Sequence, residues 1–342
     1  MRFRLLDYGD VPWERLDAYA DRTVFQTRAW VEFVAETQRA RPAIAELRDG
    51  QAVAGYFTGL TFRRFGAKIL GSSFPGWTTP YMGFNLEPGV ARKAALEALE
   101  DFAFRDLRCL HFEVGDPYFC AEDGQSLGLD VEFFETYRTA LAPPEAQLYK
   151  SMSENCRWSI RKAEKSGVLV EEAGPDGFAE DFYAQLTEVF VSKGLAPTYP
   201  LDRVQSLIRN LHPTGNLLLL RARSPEGAAL ATLISPALNK LAEFWATASF
   251  KSGQSLRPNE ALRWYAIRYW KKRGIESFDW GGGGTWKEKY GPEHVFVPRF
   301  RKSRFRWISA MRTAAQKMAG VRQRLLGRIR RHQTSSASAP EP

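Results

Sequence analysis

The stretch Ile275-Glu276-Ser277-Phe278-Asp279-Trp280-Gly281-Gly282-Gly283-Gly284-Thr285-Trp286-Lys287-Glu288-Lys289-Tyr290-Gly291 decides how this chain is read. Residues 275–281 predict a β-strand that runs into four consecutive glycines. The glycines are not a phosphate-binding P-loop, because no Gly-Lys-Ser/Thr follows them. They predict a flexible turn that lets a substrate approach the backbone closely. Working back from this strand, residues 259–273 predict a helix, 240–249 and 228–235 two strands, Ser224-Pro225-Glu226-Gly227 a turn, and 216–222 another strand. The same order occurs roughly 170 residues earlier, an offset far longer than a solenoid period. There, strands 43–47 and 52–62 flank the turn Arg48-Asp49-Gly50-Gln51. Strand 68–72 follows, then an amphipathic helix over 90–107 with Ala94, Leu96, Leu99 and Phe102 on one face, then strand 109–114. Each half runs hairpin, strand, helix, strand. The pattern is that of an α/β (α+β) protein built from a duplicated domain.

Length agrees, since 342 residues make about two domains at ~150 residues each. The boundary is expected at Leu141-Ala142-Pro143-Pro144, where two prolines disfavour helix and remove two backbone donors. That gives domains over 1–142 and 143–300. The second opens on a polar helix over 145–166 that Gly167 ends. Net charge is +9, but twelve Lys and Arg and no acid fall between Arg299 and Arg331. Removing these twelve, and Glu341 beyond them, leaves 36 basic and 38 acidic residues, a body charge of −2. Residues 301–332 predict a basic amphipathic helical tail, and 333–342 a disordered end. Phe305 and Trp307 beside arginines in that tail suit an anionic membrane surface; the alternative is an apolar stripe packed on the body.

Three cysteines without a CxxC pair fit a reducing compartment, and four scattered histidines give no metal-ligand spacing. The N-terminus lacks the apolar core of a signal peptide, and no apolar run reaches the ~20 residues needed to span a bilayer. A cytoplasmic protein without a metal is expected, possessing at most a peripheral contact with the inner face of the membrane.

Three segments resemble a known family. They are Phe25-Gln26-Thr27-Arg28-Ala29-Trp30; Asn155-Cys156-Arg157-Trp158-Ser159-Ile160-Arg161-Lys162-Ala163-Glu164-Lys165-Ser166-Gly167; and Asn259-Glu260-Ala261-Leu262-Arg263-Trp264 continued by Gly274, Phe278–Gly281 and Trp286–Gly291. In order and spacing they are similar to the FemAB-like, tandem-GNAT acyltransferases, including the BioF2-like branch. The resemblance spans about residues 1–300. It implies two GNAT-type domains, each a mixed twisted sheet flanked by helices, the second catalytic and the first on the acceptor side. It implies transfer of an acyl or aminoacyl group to the amine of a cell-envelope precursor, such as a peptidoglycan-type precursor or a polysaccharide amino sugar. The donor would be a co-substrate, not a tightly bound cofactor: an acyl thioester of CoA or of an acyl carrier protein, or an aminoacyl-tRNA. No heptad arm of the kind found in tRNA-using members is present, which favours a thioester.

Amide formation needs a neutral amine, a held acyl carbonyl and a positive group for the developing oxyanion. It needs no protein nucleophile; GxSxG is absent, and Cys156 has no evident His partner. The resemblance places Lys287 at the reacting centre, with Lys289 as the alternative one turn on; the competing reading is a solvated lysine. Tyr290 either orients a substrate or packs. Glu243, within Leu241-Ala242-Glu243-Phe244-Trp245, is the candidate base on the strand where GNAT folds often present a carboxylate, and Asp279 on the neighbouring strand competes with it. Either is otherwise a structural acceptor. Arg157, Arg161 and Lys162 share overlapping helix faces that suit a diphosphate, extended by Lys150; alternatively they form a solvated face paired with Glu154 and Glu164. Arg257 stands where CoA-using GNAT enzymes carry a pyrophosphate loop, although only Gly253 and Ser255 of that pattern are present, which puts tight CoA binding in doubt. Trp77 and Tyr81, within 72–81, either line an acceptor groove or pack. The alternatives to an enzyme are a non-catalytic module that binds a nucleotide sugar, a lipid head group or tRNA, and a nucleic-acid binder driven by the tail.

Overall fold

The computed structural model describes residues 1–305, 307 and 308. Its strands are β1 (Arg2–Leu5), β2 (Arg41–Asp49), β3 (Ala52–Arg64), β4 (Ala67–Ser72), β5 (Gly83–Leu86), β6 (His111–Gly115), β7 (Asp130–Ala140), β8 (Leu169–Glu172), β9 (Leu217–Arg223), β10 (Ala229–Leu238), β11 (Leu241–Glu243), β12 (Ala246–Ser249), β13 (Ser277–Asp279) and β14 (Glu293–Ser303). The chain forms two compact units. The first comprises Met1–Pro144, Pro236–Phe244 and Trp270–Ile308; among described residues the second comprises Glu145–Ser235 and Trp245–Tyr269.

In the first unit the strand order is β1-β2-β3-β4-β6-β14-β7-β13-β11, with β5 set against β3. The β2–β3 hairpin closes at Gly50, whose φ of +59° suits a residue without Cβ. The predicted helix 90–107 is real from Arg92 to Asp101, then loosens into a π-helical turn over Phe102–Asp106. It buries Leu96, Leu99 and Phe102 against Phe3, Phe57, Phe84, Phe112 and Phe300. Each such side chain contributes about 1.5–3 kcal/mol of burial. The short strands β1 and β5 and the long strands β7 and β14 were not expected. β7 and β14 pair antiparallel from Arg138↔Glu293 to Asp130↔Arg301. β14 also pairs with β6. Arg301–Ser303 therefore belong to a strand and not to a helical tail. Arg301 bonds Glu132 at 2.6 Å and Lys302 bonds Glu100 at 2.7 Å, so these cations are neutralised at the sheet. The tail from 309 onward, with the end at 333–342, lies outside the described residues.

In the second unit β8 pairs antiparallel with β9, and Ala231–Ile234 of β10 pair with β12. The helix expected over 145–166 is two helices, Glu145–Ser151 and Glu154–Lys165. Ser153 caps the second by accepting from the Cys156 backbone N–H at 3.2 Å, and a capping serine starts a helix rather than continuing one. Gly167, at φ +69°, ends it. The strand expected over 240–249 is likewise two short strands, broken at Phe244-Trp245. The Phe244 N–H bonds Asp279 O on β13, while the Trp245 N–H bonds Ile234 O on β10. Successive donors thus serve different strands, and the ladder cannot run through. Among the described residues no helix is long and apolar enough to cross a membrane.

Candidate active site

β11 and β13 run parallel with Glu243 opposite Asp279. Paired residues of neighbouring strands share a face, so two carboxylates lie side by side in the first unit. Both are buried. Asp279 is surrounded by donors. Its Oδ2 accepts from Tyr81 Oη at 2.9 Å and Arg138 Nε at 3.0 Å, and its Oδ1 accepts from the Gly281 N–H at 2.9 Å and from Thr136 Oγ1. Arg138 also donates to Tyr81 Oη at 3.2 Å. A carboxylate whose two oxygens accept four hydrogen bonds, one of them from a guanidinium, acts as the knot of the network. Burial, and then the Asp279 charge, push the Tyr81 phenol well above its ordinary range, so it donates and does not ionise.

Glu243 is in the opposite situation. Burial raises its carboxyl well above the ordinary range, the Asp279 charge raises it further, and Arg138 and Lys287 pull it partly back. Gly281, at φ +61°, makes room for it: a Cβ there would stand 2.5 Å from Glu243 Oε1.

Lys287 is not a solvated lysine, being only 3% exposed. It lies in a short 3-10 turn, Thr285–Tyr290, that follows the glycines. Its ammonium donates to the carbonyls of Gly281 and Gly282, the latter at 2.6 Å, and lies 5.5 Å from the Trp286 ring centre. The first two glycines thus turn their carbonyls onto the ammonium, and the Gly284 carbonyl accepts from the Lys287 backbone N–H. Lys289 is half-buried, 5.3 Å over the Tyr290 ring. Tyr290 is buried, its ring 4.5 Å from that of Trp280. Trp77 is buried against Phe62 and Phe74, and its ring leaves no space for a Cβ at Gly71. It is core, which matches the packed alternative of the two readings given for it. Tyr81 is buried too, and reaches the site through its hydroxyl.

The basic residues are placed in the second unit. Arg157 turns back onto the preceding helix and donates to the carbonyls of Lys150 (2.9 Å) and Met152, which occupies it as a helix C-terminal partner. Lys150 and Arg161 are exposed, and Arg161 donates to Tyr149 Oη at 3.3 Å. Lys162 and Arg257 converge on Trp158, at 5.2 and 5.6 Å from the ring centre, and that tryptophan is 44% exposed. Cation–π pairing of this kind holds two positive charges around one open aromatic face. Cys156 is buried, with Sγ 3.9 Å from Met152 Sδ. Among the described residues no cluster of His, Cys, Asp and Glu is placed to hold a metal. Sequence reasoning missed Arg138 and Thr136. Both lie on β7, which it did not anticipate.

Residues 150–290 match the family model described as an acetyltransferase (GNAT) domain. The fold is that of the GNAT acyltransferases. Glu243, Asp279, Lys287 and Tyr290 all fall inside the matched stretch. Among solved structures, a FemX is similar over 89% of this chain and 97% of its own, with TM-score 0.72 and 14% identity. The C-terminal domain of a putative lysylphosphatidylglycerol synthetase from Agrobacterium fabrum is similar over 87% of this chain and 93% of its own, with TM-score 0.52 and 11% identity. A tandem GNAT protein from the clavulanic acid biosynthesis pathway is similar over 89% of this chain and 98% of its own, with TM-score 0.50 and 11% identity. At these identities the likeness is one of fold, and it bears out the tandem-GNAT resemblance read from the three sequence segments. No curated protein sequence matches the chain.

Proposed function

We propose that the protein is an N-acyltransferase that moves an acyl or aminoacyl group onto an amine of a cell-envelope precursor, by direct attack and without a covalent enzyme intermediate. One observation carries this reading: within the GNAT-matched stretch, a buried ammonium (Lys287) is held by backbone carbonyls at a strand end, in the electrostatic field of a buried, raised-pKa carboxyl (Glu243). The acceptor amine attacks the acyl carbonyl, and the C–S or C–O bond to the donor breaks. Glu243 takes the proton that the amine loses, and the departing thiolate or alkoxide is protonated in turn. Lys287 stabilises the developing oxyanion without changing its protonation state. Asp279 positions Tyr81 and Arg138 through its hydrogen bonds. Within the second unit, Trp158 with Lys162 and Arg257 forms a cationic surface whose chemistry suits phosphate. The donor is a thioester of CoA or a carrier protein, or an aminoacyl-tRNA. The envelope assignment is supported by the similar fold of a putative lysylphosphatidylglycerol synthetase, whose name describes aminoacyl transfer to a lipid.

The test compares masses of the cell envelope and its lipid-linked precursors between wild-type cells and cells carrying Lys287→Ala. Loss of a defined acyl or aminoacyl increment from one amine-bearing species names acceptor and acyl group together. An unchanged profile, with both proteins produced equally, overturns the reading.

A further inference from the structure

We propose that one edge of the first unit's sheet is a docking surface for an anionic bilayer, built by the hairpin tip Arg63-Arg64-Phe65-Gly66 together with Arg304, Phe305 and Trp307. The proposal is independent of the acyl-transfer reading. Strand pairing brings these segments together. Arg64 pairs with Ala67 across the tip that joins β3 to β4. Beside it, Lys68 O accepts from the Leu110 N–H at 2.8 Å, and Leu110 O accepts from the Arg304 N–H at 2.9 Å. The tip of one hairpin, the start of β6 and the exit of β14 therefore form a single rim.

That rim exposes large apolar rings that the fold does not use. Phe65 is 66% exposed, Phe305 47% and Trp307 55%. Phe65 holds a φ of +50°, a conformation that bulky residues adopt only at a cost, and burial within the unit does not compensate it. A Cβ on the adjacent Gly66 would meet nothing within 4 Å, so the tip projects into open space. The same arrangement occurs twice, an arginine stacked on an exposed ring: Arg64 lies 5.6 Å over Phe65, and Arg304 5.8 Å over Phe305. Phe305 and Trp307 lie within 8° of parallel. Charge is one-sided as well. Residues 61–68, 107–110 and 303–308 contain no Asp or Glu, and the sequence over 309–331 adds seven further Lys and Arg with no acid.

Rings at headgroup depth flanked by arginines that meet lipid phosphates are the chemistry of an anionic membrane interface. Single-stranded nucleic acid instead takes a groove in which bases stack in succession, and a projecting two-residue tip offers none.

The experiment is co-sedimentation of the full chain with vesicles of phosphatidylcholine alone, or containing about a third phosphatidylglycerol. Variants are Phe65→Ser, the pair Arg63→Ser and Arg64→Ser, and the pair Phe305→Ser and Trp307→Ser, all at exposed positions, with folding checked by thermal melting. Wild type is expected on the anionic vesicles only. Each variant is expected to weaken that binding roughly tenfold or more, the double arginine variant most steeply at low salt. Absence of wild-type binding to the anionic vesicles overturns the proposal. So does wild-type affinity in the Phe65→Ser protein, which would leave the hairpin tip no part in binding. If the tip variants lose a labelled tRNA and keep the vesicles, the surface belongs to nucleic acid and the proposal falls.

Discussion

Glu243 and Asp279 occupy paired positions on parallel strands, yet the fold treats the two carboxylates in opposite ways. Asp279 receives four donors from Tyr81, Thr136, Arg138 and the Gly281 backbone. Glu243 receives desolvation and the repulsion of its neighbour, offset in part by Arg138 and Lys287. One carboxylate therefore organises structure, and the other is left with a raised affinity for a proton. Sites with two acids commonly separate their roles in this way.

Removing the Asp279 charge leaves Arg138, whose side chain is only 23% exposed, beside a buried site without its counter-charge. Asp279→Asn is expected to lower unfolding free energy by about 3 kcal/mol, the range for breaking a buried pair from one side. Urea denaturation measures it. A loss below about 1 kcal/mol would show that the network does not hold the strands together.

Glu243 gives a stability signature that can be read without a substrate. Its folded pKa lies above its unfolded value of 4.5. Its contribution is therefore fully present below that value and is lost as pH rises through the folded pKa. Glu243→Gln removes the penalty. The variant is expected to melt above wild type at neutral pH, with the gap closing toward pH ~4. Melting curves that stay parallel across this range would contradict the raised pKa. In a turnover assay, wild-type rate should rise with pH through the same window, and the glutamine variant should lose that rise.

Lys287 is held by two carbonyls, so its replacement has both a structural and a chemical consequence. Lys287→Ala is expected to lower kcat about 100-fold, in the range found for loss of one oxyanion-stabilising group, with KM changed far less. Lys287→Arg is not expected to rescue it, because the planar guanidinium is bulkier than the ammonium between the Gly281 and Gly282 carbonyls. Equal kcat in wild type and alanine variant would remove Lys287 from the chemistry.

The glycine turn offers an internal comparison. Gly281 and Gly282 have nearly the same φ, +61° and +63°. A Cβ on Gly282 meets nothing within 4 Å, whereas one on Gly281 meets Glu243 Oε1. Gly282→Ala is expected to cost only the left-handed strain, about 1–2 kcal/mol. Gly281→Ala should cost more and should also shift the pH dependence assigned to Glu243. Equal costs with unchanged pH profiles would show that Gly281 does not make room for that carboxyl.

Much of the architecture was legible because its signals are local. Turn residues at Gly50 and Gly227, apolar spacing over 90–107 and 259–273, and strand runs in both halves are written in consecutive residues. The doubled pattern pointed to the tandem fold. The long β14 was not legible, since its partners β6 and β7 lie far away in the sequence, and its exposed residues mix charge with aromatics. Nor was the split of 240–249, where successive backbone donors choose different partners. Ser153 did carry a cap signal, and attention to it would have divided the helix correctly.

By itself, the sequence determined the fold class, the repeated order of elements, the one-sided charge of the C-terminal end and the chemical types available near residues 243–290. Only the tertiary structure decided which of them meet. Tyr81 finds Asp279 across 198 residues, and Arg138 finds it across 141. Which carboxylate is saturated and which is left in a desolvated field depends on those encounters. The physical reason is that propensity and periodicity act between near neighbours along the chain, whereas burial and electrostatic coupling depend on distances in space that only the closed sheet sets.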